Sequence, residues 1–215
     1  MSRAAPPRPQ ALTVAGPAGP IEALLENPLS ETAAASRFAV VCHPHPLHGG
    51  TMTNKVAHML ARALNDAGIP VLRFNFRGVG ASAGVFDEGR GETQDALAVI
   101  RHGRERFAGA ALVLAGFSFG GYVALAAAAE ADAQVLITVA PAVSRFGAET
   151  FAAPAIPWLL LMGTADELID WQEMRSWAQA QAHPPECRWL EGASHFFHGR
   201  LTELRQAVVD FVQKN

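Results

Sequence analysis

Four short runs along the chain are apolar almost without a break: RFAVVC (37–42), ALVLAGF (111–117), VLITVA (135–140) and PWLLLMG (157–163). A strand with one wet face alternates apolar and polar residues, whereas a strand covered on both faces reads as a continuous apolar run. Stretches of helical character separate these runs. Thr53–Ala67 places Met59, Leu60, Ala63 and Leu64 on one side, and GETQDALAVIRHGRERF, FGGYVALAAAAE, WQEMRSWAQAQA and LTELRQAVVDFVQK follow. PVLRFNF and CRWL add two strands, and ALTV and IEALL around AGPAGP predict an opening hairpin. Strand and helix taking turns predicts the α/β class: a mostly parallel, twisted sheet of about eight strands with helices on both faces.

The chain has 215 residues, half of them hydrophobic and 17% charged, which predicts one folded domain over 1–215. Residues 1–10, rich in proline, are expected to be a flexible start. The stretch PAVSRFGAETFAAPAI (141–156) is too short for a helical lid domain but long enough for a small flap. A formal charge of −3 with no basic tract gives no reason to expect nucleic acid or an anionic membrane as partner. The longest apolar stretches are far short of a membrane span, and MSRAAPPRPQ has no apolar core of a secretory signal. Cys42 and Cys187 are too few and too far apart for a disulfide framework or zinc knuckle. A cytoplasmic protein is expected; oligomeric state is not legible.

GFSFGG (116–121) sits where a buried strand ends and an alanine-rich helix begins. In an α/β sheet, ligands bind beyond the carboxyl ends of the strands, so Ser118 falls at the functional edge. Gly116, Ser118 and Gly120 form the G-x-S-x-G nucleophile elbow, in which a Cβ two positions either side of the serine would collide with neighbouring backbone. The alternative is that Ser118 simply caps the helix. A serine hydroxyl needs a base, and the base an orienting acid, in the chain order Ser, acid, His. GTADELID supplies Asp166, with Glu167 as a weaker rival and Asp170 read as the N-cap of the next helix. GASHFFHGR supplies His195 as base, leaving His198 a surface or supporting residue.

CHPHPLHGG (42–50) follows the third strand, where a second oxyanion donor is expected. Pro44 and Pro46 lack N–H groups, so the backbone N–H of His45 pairs with that of Phe119 as the expected oxyanion hole. His43 is expected to brace the loop. The H-x-H-x-x-H pattern of His43, His45 and His48 leaves a metal site as an alternative, although no acid or cysteine cluster completes one; no metal and no cofactor are expected. The glycines of NFRGVGASAG do not have dinucleotide-binding spacing and predict a sharp loop beside the site. Leu47, Phe117 and Phe196 are expected to line a substrate pocket, with the Phe119 and Met52 side chains leaning to the core.

Taken in order, HPHPLHGGTMTNKVAHMLARAL, RFNFRGVGASAGVFDEGRGETQDALAV, GFSFGGYVAL, GTADELID and GASHFFHGRLTELR resemble the α/β-hydrolase superfamily, and within it the small bacterial serine hydrolases without a large cap. That resemblance implies a Ser118, Asp166, His195 triad and an esterase-like or broadly hydrolytic activity; with little lid sequence to cover the site, a small-molecule ester of small to medium acyl groups is the expected substrate. Acyl transfer, thioester hydrolysis or a peptidase-like reaction on the same triad, or binding without chemistry, are the alternatives.

Overall fold

The computed structural model describes residues 8–28, 35–146 and 153–215. Most of the expected flexible start, and the middle of the expected flap, lie outside the described residues. The elements are β1 (Gln10–Gly16), β2 (Gly19–Glu26), β3 (Arg37–Cys42), α1 (Lys55–Asp66), β4 (Val71–Phe74), α2 (Arg90–Arg106), β5 (Ala111–Phe117), α3 (Phe119–Ala128), β6 (Val135–Val139), α4 (Val143–Phe146), β7 (Trp158–Gly163), α5 (Trp171–Gln179), β8 (Glu186–Leu190) and α6 (Leu201–Lys214).

The eight strands form one sheet in the order β1-β2-β4-β3-β5-β6-β7-β8. The hairpin β1–β2 and the β2–β4 pair are antiparallel; every later pair is parallel. From β3 the chain steps through α1 to β4 on one side, then through α2 to β5 and onward in the opposite direction. Right-handed crossovers therefore put α1 on one face of the sheet and α2 and α3 on the other. The contacts agree, because α2 packs on α3 while the closing helix α6 returns to pack beside α1.

Burial follows the apolar runs. Every residue of β4, β6 and β7 is buried, as are all but the first of β3 and β5. The edge strand β8 buries only Leu190, and its sequence is correspondingly mixed.

Two boundaries and one added element differ from expectation for identifiable reasons. Helix α1 starts at Lys55 because Asn54 caps it, its Oδ1 accepting from the N–H groups of Val56 and Ala57. PVLRFNF ends as a strand at Phe74: the Asn75 N–H still donates to the Glu22 carbonyl of β2 (2.9 Å), but the Phe76 N–H donates to His43 Nε2 (3.0 Å) instead of a neighbouring strand. Helix α4, absent from the sequence reading, is a single turn in the connection from β6 to β7.

A polar network ties the loop after β3 to the sheet. Arg73 on β4 pairs with Glu26 on β2 in the interior and also donates to the Met52 carbonyl. The Met52 N–H donates to Asn75 Oδ1 at 2.8 Å, and Asn75 donates in turn to Glu22. Met52 is thus held at both backbone atoms, and its side chain is buried as expected. A second anchor is Arg77, which forks onto Asp95 of α2 through Nε (3.0 Å) and a terminal nitrogen (2.8 Å). These arginines explain why charged residues punctuate RFNFRG at all.

Candidate active site

Ser118 occupies the corner between β5 and α3 with φ 55° and ψ −117°. That conformation is costly for a residue with a Cβ and persists only where surroundings impose it. Here the Ser118 N–H donates to the Val139 carbonyl (2.8 Å), and its carbonyl accepts from the N–H groups of Gly121, Tyr122 and Ala142. The two flanking glycines are required by close approach. A Cβ on Gly116 would overlap the Gly120 carbonyl, and one on Gly120 would overlap the carbonyls of Cys42 and His43 at the end of β3. The serine side chain makes no capping bond to α3; it points to His195 instead.

The Ser118 Oγ lies 3.1 Å from His195 Nε2, and His195 Nδ1 lies 2.7 Å from Asp166 Oδ2. The Asp166 carboxylate is completely buried and the imidazole nearly so. The other carboxylate oxygen, Oδ1, accepts from the N–H groups of Leu168 and Ile169, both at 2.9 Å. Glu167, the rival acid, faces the other way and accepts the His195 backbone N–H at 3.0 Å. It holds the main chain of the imidazole, not its ring. Asp170 caps α5 as expected, through Gln172 and Glu173, and His198 is exposed, 3.5 Å from the Ser194 hydroxyl.

The loops bearing Asp166 and His195 are fastened together. Thr164 N–H donates to the Leu190 carbonyl, Ala165 N–H to that of Ala193, and Gly192 N–H to the Thr164 hydroxyl at 2.8 Å. Gly163 allows this closeness, since a Cβ there would overlap the Ala193 carbonyl.

His45 and Phe119 meet at the same cavity. Among the described residues neither backbone N–H has an acceptor: Phe119 is the first residue of α3, where no helical carbonyl precedes it, and His45 precedes the 3₁₀ turn Pro46–His48. His43 is the brace beneath them. Its Nε2 accepts the Phe76 N–H, which fixes the proton on Nδ1, and Nδ1–H donates to the Pro44 carbonyl at 2.6 Å. With both ring nitrogens engaged, and the imidazole pushed down to about 4 by burial, His43 stays neutral and has no lone pair for a metal. No group of three His, Cys, Asp or Glu among the described residues is placed to hold a metal ion.

The cavity over Ser118 encloses about 150 Å³. Three residues expected in its wall lie elsewhere. Phe117 precedes the serine on a strand, so its side chain points to the opposite face; it is fully buried with its ring 5.0 Å from that of His195, as a floor for the imidazole. Leu47 is 67% exposed on the 3₁₀ turn, and Phe196 stands edge-on to His195 at 39% exposure. The actual wall comes from Phe119, the His45 and His48 rings, Ala142, Arg145 and Phe146 around α4, and Leu168 and Ile169 after Asp166. The α4 residues were missed because a four-residue turn leaves no periodicity; their position just past the carboxyl end of β6 is the signal that points to them.

An alcohol, an imidazole and a buried carboxylate in series, beside two free N–H donors, is an arrangement able to make the alcohol nucleophilic and stabilise an oxyanion.

The model of the family described as serine aminopeptidase, S33, matches residues 39–149. A crystal structure from Xanthomonas campestris, described as an a/b serine hydrolase without lid, shares 43% sequence identity; the likeness covers 99% of this chain and 97% of that one with a TM-score of 0.92. An alpha-beta serine hydrolase homologue from Coxiella burnetii shares 41% identity over 94% of this chain and 96% of its own, with a TM-score of 0.89. The uncharacterized protein RP471 of Rickettsia prowazekii (strain Madrid E) is 33% identical over 207 residues, 92% of this chain and 86% of that protein.

Proposed function

The chain belongs to the α/β serine hydrolases, in the family described as serine aminopeptidase, S33, and on that premise we propose that it hydrolyses carboxylic esters of small to medium acyl groups through an acyl-enzyme on Ser118. The observation that carries the reading is the unbroken series Ser118 Oγ, His195 Nε2, His195 Nδ1, Asp166 Oδ2 at 3.1 and 2.7 Å.

In the first half-reaction Ser118 Oγ attacks the ester carbonyl carbon while His195 Nε2 takes the hydroxyl proton. Asp166 keeps the Nδ1–H tautomer and stabilises the imidazolium. The carbonyl oxygen becomes an oxyanion held by the His45 and Phe119 N–H groups, at the positive end of α3. As the carbonyl re-forms, the bond to the leaving alkoxide breaks and His195 returns the proton to it, releasing the alcohol. A water, deprotonated by His195, then attacks the acyl-enzyme, and the same steps in sequence release the acid and restore Ser118.

The reading of the family as aminopeptidases finds less support here. Capture of a substrate's ammonium group wants a carboxylate in the wall, and the cavity lining among the described residues contains none. Steady-state hydrolysis of 4-nitrophenyl acetate and butyrate tests the proposal: Ser118→Ala is expected to lower kcat by about 10⁶-fold. A variant that keeps wild-type turnover contradicts it.

A further inference from the structure

The cavity over Ser118 carries a charge that ester hydrolysis does not use. Arg145, on α4, is part of its wall, together with the apolar residues Phe146, Leu168 and Ile169. One terminal nitrogen of the guanidinium donates to the Leu168 carbonyl at 3.0 Å, so the side chain bridges from α4 to the loop that carries Asp166. Among the described residues its other N–H groups have no acceptor, and no carboxylate lies within ion-pair distance of it. Arg90, Arg188 and Arg200 are each paired with an acid; among the described residues Arg145, like Arg104, holds only backbone carbonyl oxygen.

The surrounding groups do not cancel it. The carboxylate nearest the chemistry, Asp166, is fully buried with both oxygens occupied by His195 and by two N–H groups. Glu167 is spent on the His195 main chain and is not part of the wall. His45 and His48, stacked with ring centroids 4.4 Å apart, are the remaining ionisable groups of the wall with His195. Burial, then the neighbouring His48 and Arg145, hold the His45 imidazole below its usual basicity, which places the Arg145 charge within electrostatic reach of the oxyanion loop. The described wall therefore offers a cation with no acid partner among the described residues, imidazoles and apolar cover.

We propose that Arg145 is a specificity-determining residue, and that the site takes esters bearing a second, anionic group: a carboxylate a short chain away from the scissile carbonyl. The unpaired edge of the guanidinium binds that carboxylate with two N–H donors, while Phe146, Leu168 and Ile169 cover the carbon chain between the two ends. A half-ester of a dicarboxylic acid has this chemistry. The inference rests on the hydrolase reading above and narrows its substrate class.

The test compares monomethyl adipate with dimethyl adipate, which differ by one carboxylate, with 4-nitrophenyl acetate as a general ester. kcat/KM is measured by chromatography of the products for wild type, Arg145→Gln and Arg145→Lys. In wild type the half-ester is expected to be preferred. Arg145→Gln should lower the ratio of half-ester to diester kcat/KM by about tenfold, the size of one charged hydrogen bond at a partly wet site, and Arg145→Lys should restore much of it. Raising salt from about 20 to about 500 mM should shrink the wild-type ratio and leave the Gln variant's ratio flat. If Arg145 only latches α4 to Leu168, the Gln variant loses both substrates alike, the ratio is constant, and the proposal is overturned. Turnover of 4-nitrophenyl acetate with no half-ester preference also overturns it while leaving the hydrolase reading intact. No turnover of any of the three esters overturns that reading and this one together.

Discussion

A single main-chain N–H separates two uses of His45. Its ring packs against His48, Phe86 and Phe119 beside the cavity, and its amide is one of the two proposed oxyanion donors. The backbone at His45, with φ −53°, is already compatible with proline. His45→Pro removes both ring and N–H, whereas His45→Ala removes the ring alone. The ratio of their kcat values for 4-nitrophenyl acetate therefore reports the amide: His45→Pro is expected to be slower than His45→Ala by about 10²–10³-fold. Equal rates would show that the His45 N–H does not bind the oxyanion.

At the scale of elements, the position of His195 is set by how β7 and β8 end. Their following loops are joined by three hydrogen bonds across Thr164, Ala165 and Gly192, and Gly163 lets the backbones touch. Gly163→Ala should push the His195 loop outward. The expected result is a destabilisation of about 1–3 kcal/mol in urea melts and a loss of kcat of about 10²-fold from the displaced imidazole; unchanged kinetics would mean that the fastening is not what aligns the site. The sheet was legible because strands covered on both faces must be apolar nearly throughout, and RFAVVC past Arg37, ALVLAGF and PWLLLMG are. The series Ser118, Asp166, His195 was legible because each residue follows a strand at the same edge in a fixed order. The pocket was not. Phe117 is adjacent to Ser118 in sequence, yet strand alternation sends it beneath His195, and Arg145 and Phe146 come from a turn too short to show a period. Whether a loop side chain faces a cavity depends on tertiary packing, which Leu47 and Phe196 illustrate.

For the whole molecule, the buried His43 makes stability depend on pH. Its imidazole is lowered from 6.5 to about 4, burial outweighing the opposing hydrogen bond to Pro44. Between those values the unfolded chain binds a proton that the folded protein does not. The contribution is full above pH 6.5 and is lost as the pH falls towards 4, by roughly 3 kcal/mol. His43→Asn should be less stable than wild type at pH 7 but lose less on going to pH 4.5, as read from urea melts at both pH values. Parallel losses would mean that His43 is protonated in the fold. Because His43 links the Pro44 carbonyl to the Phe76 N–H, its protonation would also undo the support of the oxyanion loop, so one residue joins fold stability to the site.

The eight-stranded sheet brings Ser118, His195 and Asp166 together, and one serine hydroxyl is expected to become nucleophilic as a result. Reaction with a fluorophosphonate, followed by peptide mapping by mass spectrometry, measures this directly. A single adduct is expected, on Ser118, formed rapidly in wild type and at a greatly reduced rate in His195→Ala. An adduct on another residue, or labelling of Ser118 that proceeds as fast without the His195 imidazole, would contradict it.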